Sequence, residues 1–301
     1  MQNGFRAPSL QQQFFQTTST NNVPGVGLVE VTTFAATDPI ARALGARDLE
    51  AEESQNFSVG AVLRFGELNL TVDAYRIDID DRIVLSENLI SADVSRFLAD
   101  NGFPNLGGGR FFINGVDTST EGVDVVLNYP LETAAAGRFD LTLAANFNST
   151  DVEKVPEVRP AGLNPPPVLF ARLNILTFEE GTPDNKFSAQ ANWTFDRWGA
   201  TLRGTRYGEV LSPDSAATFA TVAAGTVPND ITLGAKTLVD LEGRFDVTDN
   251  VRVAIGAENL TDEYPDPNTP LANPTGTTSF SNYSPFGRSG RFVYGRVSYK
   301  F

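Results

Sequence analysis

Charged side chains alternate with apolar ones between residues 239 and 247. The charged positions are Asp240, Glu242, Arg244 and Asp246, and Arg252 and Glu258 extend the set on the segment that follows. A spacing of two residues places such side chains on one face of a β-strand. They could bind an ion or a polar ligand. We favour the other interpretation, in which these charges face the wet interior of a barrel and some of them pair with a domain inside it.

The residue types that most enzymes and metal sites require are missing. The chain of 301 residues has no histidine and no cysteine, which excludes Ser-His-Asp catalysis, thiolate chemistry, His-ligated zinc and a disulfide framework. Asp78, Asp80 and Asp81 lack the glycine and glutamate that complete a calcium loop. We therefore predict no catalytic residue, no metal site, no cofactor and no enzyme activity. The net charge of −14 argues against a nucleic-acid partner.

The same alternation recurs along most of the chain and predicts antiparallel strands. Runs begin near residues 57, 68, 123, 139, 187, 198, 239, 251 and 291, after a stub that ends before Pro8. The connections at residues 66–67, 131–137, 196–198 and 248–250 are short, and those between them run to roughly twenty residues or more. Short turns at one end and long loops at the other are typical of outer-membrane barrels. We predict an all-β, antiparallel up-and-down transmembrane β-barrel, of which this chain holds about nine strands plus the stub.

The last strand carries the clearest signal. Counting back from the terminus, Phe301, Tyr299, Val297 and Val293 lie on one face, opposite a largely polar face. An apolar face that ends in aromatics is typical of a strand whose outer side meets lipid. By the same reasoning, Trp193, Trp198 and Tyr129, beside short turns, belong to an aromatic girdle at the periplasmic interface.

The long connections are predicted to be irregular, apart from a short helix in DPIARALGAR near residue 40 and a loop from residue 88 to residue 109. They contain several aromatic residues that could stack against a ring-shaped ligand: Phe14, Phe15, Phe34, Phe103 and Tyr283. Packing within the loops is an equally good interpretation of these aromatics.

The beginning of the chain does not look like the start of an exported protein. Residues 1–10 lack the apolar core of a signal peptide. We therefore expect residues 1–301 to be the C-terminal segment of a longer protein, with Met1 not the natural start.

Six stretches, in the same order along the chain, resemble the TonB-dependent outer-membrane receptors. They are GFRAPSL from Gly4, LEAEESQNFSVG from Leu49, LNLTVDAYRIDIDDRI from Leu68, TEGVDVVLNYPL from Thr120, AIGAENLTDEYP from Ala254 and RSGRFVYGRVSYKF from Arg288. The resemblance implies a large barrel of the bacterial outer membrane, filled by a plug domain, that imports an iron chelate, cobalamin or a saccharide with energy from TonB. The plug and the TonB box are absent from these residues. The implied partners are lipid, the barrel-insertion machinery, the plug, TonB and the ligand.

Two other classes of protein remain open from the sequence. A passive porin or surface adhesin would share the strand pattern without needing a plug. A soluble β-sandwich that binds carbohydrate would dissolve without detergent, whereas a barrel partitions into outer-membrane fractions.

The apolar faces can be tested by placing a charge on them. Arg at Leu241 or Val253 should cost about 2–4 kcal/mol if the residue lies near the bilayer midplane, and much less near an interface. The measurement is the stability of the detergent-solubilised full-length protein. Unchanged stability with Arg at both positions would show that these side chains do not face lipid.

Deleting Phe301 from the full-length protein should lower its level in the outer membrane. The resemblance implies that insertion depends on a terminal aromatic with alternating apolar residues before it, here Tyr299, Val297 and Val293. Immunoblots of outer-membrane fractions give the measurement, and normal insertion would contradict the assignment.

Overall fold

A computed structural model describes residues 1–23, 27–157, 163, 166–270 and 277–301. The strands are β1 (Gln2–Arg6), β2 (Thr17–Val23), β3 (Gly27–Thr33), β4 (Glu52–Phe65), β5 (Leu68–Leu85), β6 (Gly108–Arg110), β7 (Phe112–Thr133), β8 (Gly137–Lys154), β9 (Asn185–Phe195), β10 (Trp198–Tyr207), β11 (Val210–Ser212), β12 (Ile231–Leu233), β13 (Lys236–Asp246), β14 (Val251–Glu258) and β15 (Phe292–Tyr299).

In the ranges given above, five short helices lie in the connections between strands. They are α1 (Leu10–Phe14), α2 (Pro39–Ala43), α3 (Ala92–Asp100), α4 (Arg172–Glu179) and α5 (Phe219–Ala223). Helix α2 confirms the helix predicted near residue 40. None of the helices in the described ranges is long and apolar enough to cross a membrane.

Ten strands form one sheet in the order β1-β4-β5-β7-β8-β9-β10-β13-β14-β15, and every neighbouring pair is antiparallel. The prediction of nine strands plus a stub is confirmed, and β1 is the stub. Within the described residues the sheet does not close, because β15 pairs with β14 alone and β1 pairs with β4 alone. The sheet is therefore part of a barrel wall with two open edges.

Tight turns join the strands at one end of the sheet. Between β4 and β5 the turn consists of Gly66 and Glu67, and Gly66 has a φ of 61°. This left-handed conformation at the first position of a two-residue hairpin loop is one that glycine adopts without steric cost. All long connections leave from the opposite end, as the sequence predicted.

The apolar face of this sheet is exposed along its length. Cross-strand pairs such as Leu63–Leu70 and Val253–Val297 place apolar residues side by side on this face. Ile255 is 68% exposed and Val297 is 75% exposed. In β4 the face runs from Phe57 to Phe65, which matches the roughly 9–11 residues that a tilted strand needs to cross a bilayer.

Aromatic rings border this apolar face at both ends. Near the turns, Trp198 packs on Phe245 with ring centroids 4.6 Å apart, and Trp193 stacks with Phe195. Toward the long connections, Phe147 and Phe187 meet edge to face at 5.4 Å. Two aromatic borders around an apolar band are the pattern of a barrel wall at its two interfaces.

The register of β5 explains a shift in its apolar pattern. Tyr75, Ile77 and Ile79 are apolar at positions where the preceding residues of the same face are polar. Pairing with β7 stays continuous through Ile79, and the first register shift comes only between Ile79 and Arg82. The change at Tyr75 is therefore not a bulge but the point where the strand leaves the apolar band.

The long connections are more ordered than the sequence predicted. The segment before residue 48 contains a hairpin of β2 and β3, and β3 pairs in parallel with β6. The predicted loop from residue 88 to residue 109 contains α3 and β6, and β7 begins at Phe112, about ten residues earlier than its alternation suggested. These elements were missed because their apolar residues follow no simple period.

The connections pack around a hydrophobic core of their own. Its fully buried members include Leu44, Leu98, Val116 and Phe111, and it is joined by Val152 of β8. Phe34 belongs to this core and is 3% exposed. Phe34 therefore packs within the loops.

A partly buried ion pair ties two connections together. Arg172, the first residue of α4, donates to Asp230 at 3.1 Å (Nη1–Oδ1) and 2.5 Å (Nη2–Oδ2). The Arg172 side chain is 8% exposed, and Asp230 also accepts a hydrogen bond from the backbone N–H of Asp214. The connection between β10 and β13 is thereby held against the connection between β8 and β9.

Replacing Asp230 by Asn should loosen the connection between β10 and β13. The substitution removes the carboxylate to which Arg172 donates and leaves only the more distant charges of Asp214 and Glu180. The cost should be about 1–3 kcal/mol, since part of the pair remains exposed. Amide hydrogen exchange of residues 210–233 in the intact barrel measures the effect. The control is Asp48→Asn, which breaks the exposed ion pair between Arg42 and Asp48 and should change exchange little. Equal effects of the two variants would contradict the role of the pair.

This ion pair also has a defined pH dependence. Hydrogen bonding from Arg172 lowers the pKa of Asp230 below its ordinary value. A lowered carboxyl pKa gives stability that is fully present above the unfolded value, about pH 4, and is lost as the pH falls through the folded value. The protection factors of residues 210–233, which are exchange rates corrected for the intrinsic effect of pH, should therefore be constant near neutral pH and fall only in more acidic solution.

Candidate functional site

The polar face of β13 and β14 brings together the charged residues that the sequence singled out. Asp240, Glu242, Arg244 and Asp246 occupy one face of β13, and Arg252 lies directly opposite Asp246 on β14. Arg252 donates to Asp246 at 2.5 Å and 2.9 Å. These opposite charges are thus paired across neighbouring strands.

Two further ion pairs use partners from strands that are distant in sequence. Arg203 of β10 donates to Asp240 at 2.9 Å and 2.7 Å. Arg296 of β15 donates to Glu242 at 3.0 Å and 2.8 Å, and the Tyr294 hydroxyl donates to Glu242 at 3.0 Å. We did not predict these three partners, although they lie at the polar positions of their strands.

Arg244 donates hydrogen bonds to neutral groups and lies 3.9 Å from the Glu242 carboxylate (Nη1–Oε1). Its guanidinium donates to the Thr201 hydroxyl at 2.8 Å and to Asn192 Oδ1 at 2.6 Å. Glu258 differs from the other predicted residues, since its side chain is exposed and makes no hydrogen bond or ion pair with the described part of the chain. The polar face therefore consists of compensated charges and one carboxylate with free acceptors.

The aromatic residues predicted as ligand contacts do not form one cluster. Phe14 is 60% exposed and Phe15 is 41% exposed, at the end of α1. Phe103 packs edge to face on Phe34 at 6.4 Å, and the Tyr283 hydroxyl lies 2.7 Å from the Thr177 hydroxyl of α4. Phe103 and Tyr283 therefore have packing partners within the connections. Phe103 is nevertheless 39% exposed, nearly as much as Phe15.

The four residues of the C-terminal pattern lie on the exposed apolar face. Val293, Val297 and Tyr299 are 61%, 75% and 60% exposed, and Phe301 is fully exposed. The Phe301 ring meets Tyr299 edge to face at 5.0 Å. The side chains are accessible to lipid or to another protein from one side of the sheet.

Comparison with known proteins was made by sequence and by structure. The family model described as TonB dependent receptor-like, beta-barrel, matches residues 2–260. No curated protein matches the sequence.

Several solved structures share the fold. A mutant of the ferric enterobactin receptor PfeA from Pseudomonas aeruginosa has 14% identity and a TM-score of 0.60, over 99% of this chain and 37% of the receptor. The copper transporter OprC has 14% identity and a TM-score of 0.55, over 99% of this chain and 36% of the transporter. The FrpB iron transporter from Neisseria meningitidis has 13% identity and a TM-score of 0.53, over 85% of this chain and 32% of the transporter.

The chain thus spans about a third of the length of these proteins. At such low identity the structural likeness establishes the fold alone, and the open sheet agrees with a partial barrel. Proteins of the matched family reside in the outer membrane and act as transporters rather than enzymes. Because the family model covers most of its residues, this chain belongs to the β-barrel family of the TonB-dependent receptors.

Proposed function

We propose that this chain forms the C-terminal part of the barrel wall, with its external loops, of a receptor that takes up a scarce ligand in a TonB-dependent manner. The observation that supports this most directly is the open ten-stranded sheet. It has the pairing of a barrel wall and two unpaired edges, and it matches only about a third of the length of the similar barrels. The remaining wall, a plug domain and a TonB box belong to the rest of the protein in this proposal.

The two faces of the sheet have different roles in the wall. The exposed apolar face meets lipid, which would not tolerate the charges of the opposite face. The polar face carries Asp240, Glu242, Arg244, Asp246, Arg252 and Glu258 and lines the lumen. Ion pairs that are satisfied within the wall keep this surface compatible with water and with a plug.

The packed connections form the external side of the receptor. Their core, which includes Leu44, Leu98 and Phe111, gives them a defined shape in place of flexible loops. Exposed Phe14 and Phe15 offer rings to a passing ligand, while Phe103 and Tyr283 have a supporting role through their packing. In this proposal the ligand is an iron chelate, cobalamin or a saccharide.

The terminal strand serves assembly. Phe301, Tyr299, Val297 and Val293 lie exposed on one face at the edge of the sheet. This is the accessible arrangement that recognition by the barrel-insertion machinery requires, before the edge finds its partner in the completed wall.

The proposal separates a plugged receptor from a passive porin by permeability. Liposomes that contain the intact full-length protein should not swell in isotonic arabinose, because a plug fills the lumen. Liposomes that contain a variant without the plug domain should swell, since the polar face then lines an open channel. Rapid swelling with the intact protein would contradict the proposal and favour the porin.

The alternative of a soluble β-sandwich is tested separately, by cell fractionation without detergent. The full-length protein should sediment with the outer membrane. Recovery in the soluble fraction would favour the carbohydrate-binding β-sandwich.

A further inference from the structure

A cavity lies at the loop end of the polar face. Its volume is about 550 Å³, and it is bounded by the polar side chains of β9, β10, β13 and β14 and by the segment from Phe286 to Phe292 that leads into β15. This volume lies within the range of about 300–1,000 Å³ that is usual for small-molecule sites. None of the aromatic residues that the sequence predicted as ligand contacts lines this cavity.

The charges around this cavity balance. Arg203 is compensated by Asp240 through two hydrogen bonds, and Asp240 also accepts from the backbone N–H of Asn259 at 2.8 Å. The ammonium of Lys186 lies 5.1 Å from the centre of the Tyr207 ring. Glu258 provides the second carboxylate and is free of partners in the described structure. A multiply charged anion, such as a ferric catecholate, would therefore find no excess of positive charge here.

The cavity also offers an accessible aromatic ring. Phe292 is 59% exposed and lies directly opposite Glu258 across the β14–β15 pair. One side of its ring stacks on Tyr294, with centroids 6.1 Å apart. On the far wall, Tyr207 stacks with Phe286 at 5.9 Å, which keeps that segment in place over the strands.

Hydroxyl groups complete the lining. Ser188 and Thr205 lie directly opposite each other on β9 and β10, and Ser289 lies on the segment that leads into β15. An apolar ligand would cover these hydroxyls and Glu258 without replacing their hydrogen bonds to water, which is unfavourable. The ligand must therefore carry several hydroxyl groups and no large net charge, together with a face that can stack on a ring.

We infer that this cavity binds a neutral carbohydrate, with a sugar ring stacked on Phe292 and sugar hydroxyls donating to Glu258. The inference rests on the proposed receptor function and names the ligand class for it. Lys186 and Ser188 on β9 and Thr205 on β10 lie two to four strand spacings of ~4.8 Å from β14 and β15. They therefore donate to oxygens of neighbouring sugar units in an oligosaccharide.

Calorimetric titration of the detergent-purified full-length protein tests the inference. The probes are maltohexaose, xylohexaose and cellohexaose, with ferric enterobactin and ferric citrate as anionic comparisons. At least one neutral hexaose should bind. Phe292→Ala and Glu258→Gln should each weaken its binding about tenfold, as expected for the loss of one stacking or charge-assisted contact.

The matched control is Phe187→Ala. Phe187 follows Lys186 in the chain but faces the exposed apolar side of the sheet, where it packs on Phe147. This variant should bind the hexaose with unchanged affinity. Heat-modifiable migration on gels verifies that each variant has assembled, and Glu258→Gln, an exposed and nearly isosteric change, serves if Phe292→Ala fails to assemble.

Three results would overturn the inference. One is that none of the three hexaoses binds, and another is that a ferric complex binds instead and is weakened by Phe292→Ala. The third is that a hexaose binds with the same affinity in all variants, which would place its site elsewhere. The receptor proposal is tested by liposome swelling, which does not depend on whether a hexaose binds. Failure of the carbohydrate inference can therefore be distinguished from failure of the receptor proposal.

Discussion

Every backbone N–H and C=O group of a strand in hydrocarbon must be paired with a neighbouring strand, because lipid offers no alternative partner. The ten-stranded sheet depends on this constraint. Within the described residues the sheet has two open edges. One is β15, and the other consists of β1 together with Phe57–Phe65 of β4, because β1 pairs only with Glu52–Asn56. An edge of this kind is tolerated neither in lipid nor in water, where it invites aggregation. The sheet therefore makes physical sense as part of a larger closed wall.

Pairing fixes the register, and the register decides which side chains meet. Because the side-chain period is two, a slip of one residue would turn every apolar residue to the wrong face. In the observed register Arg203 lies directly opposite Asp240, and Asp246 lies directly opposite Arg252. The ion pairs of the polar face and the continuity of the apolar face are consequences of the same alignment. A slip in register would therefore disrupt the ion pairs and the apolar face at the same time.

Much of this arrangement could be predicted from the sequence. The alternation from Phe57 to Phe65 and the turn at Gly66 located a hairpin, and the same pattern located the other strands of the sheet. The sequence could not identify Arg203 and Arg296 as partners of Asp240 and Glu242, since that requires the register between strands. Local alternation contains no information about register.

The loop core was missed for a different physical reason. Leu44 comes from the connection before β4, whereas Leu98 and Phe111 come from the connection between β5 and β7, and they meet only in the folded protein. Their spacing along the chain has no period of two or 3.6, so neither strand nor helix patterns identify them. The cavity near Phe292 escaped detection for the same reason, because strands and a distant loop segment form it together.

The residues on each face of the strands change from apolar to polar, or the reverse, at the boundary of the apolar band. Within the apolar band of β5 and its neighbours, apolar residues such as Val72 and Ala74 lie on the exposed face. Immediately beyond Ala74, that face carries Arg76, which is paired with Asp78 at 3.0 Å and with Glu121 at 2.8 Å.

Beyond Ala74, the opposite face of the sheet changes from polar to nonpolar and packs against the core of the connections. Thr118 of β7 is 2% exposed, and its partner Val152 of β8 packs against the loop core. The side that carries the apolar residues therefore reverses where the strand leaves the apolar band, without any break in pairing. Since the register is continuous through this boundary, the packed connections and the sheet form one hydrogen-bonded structure, and the strands set the position of the connections.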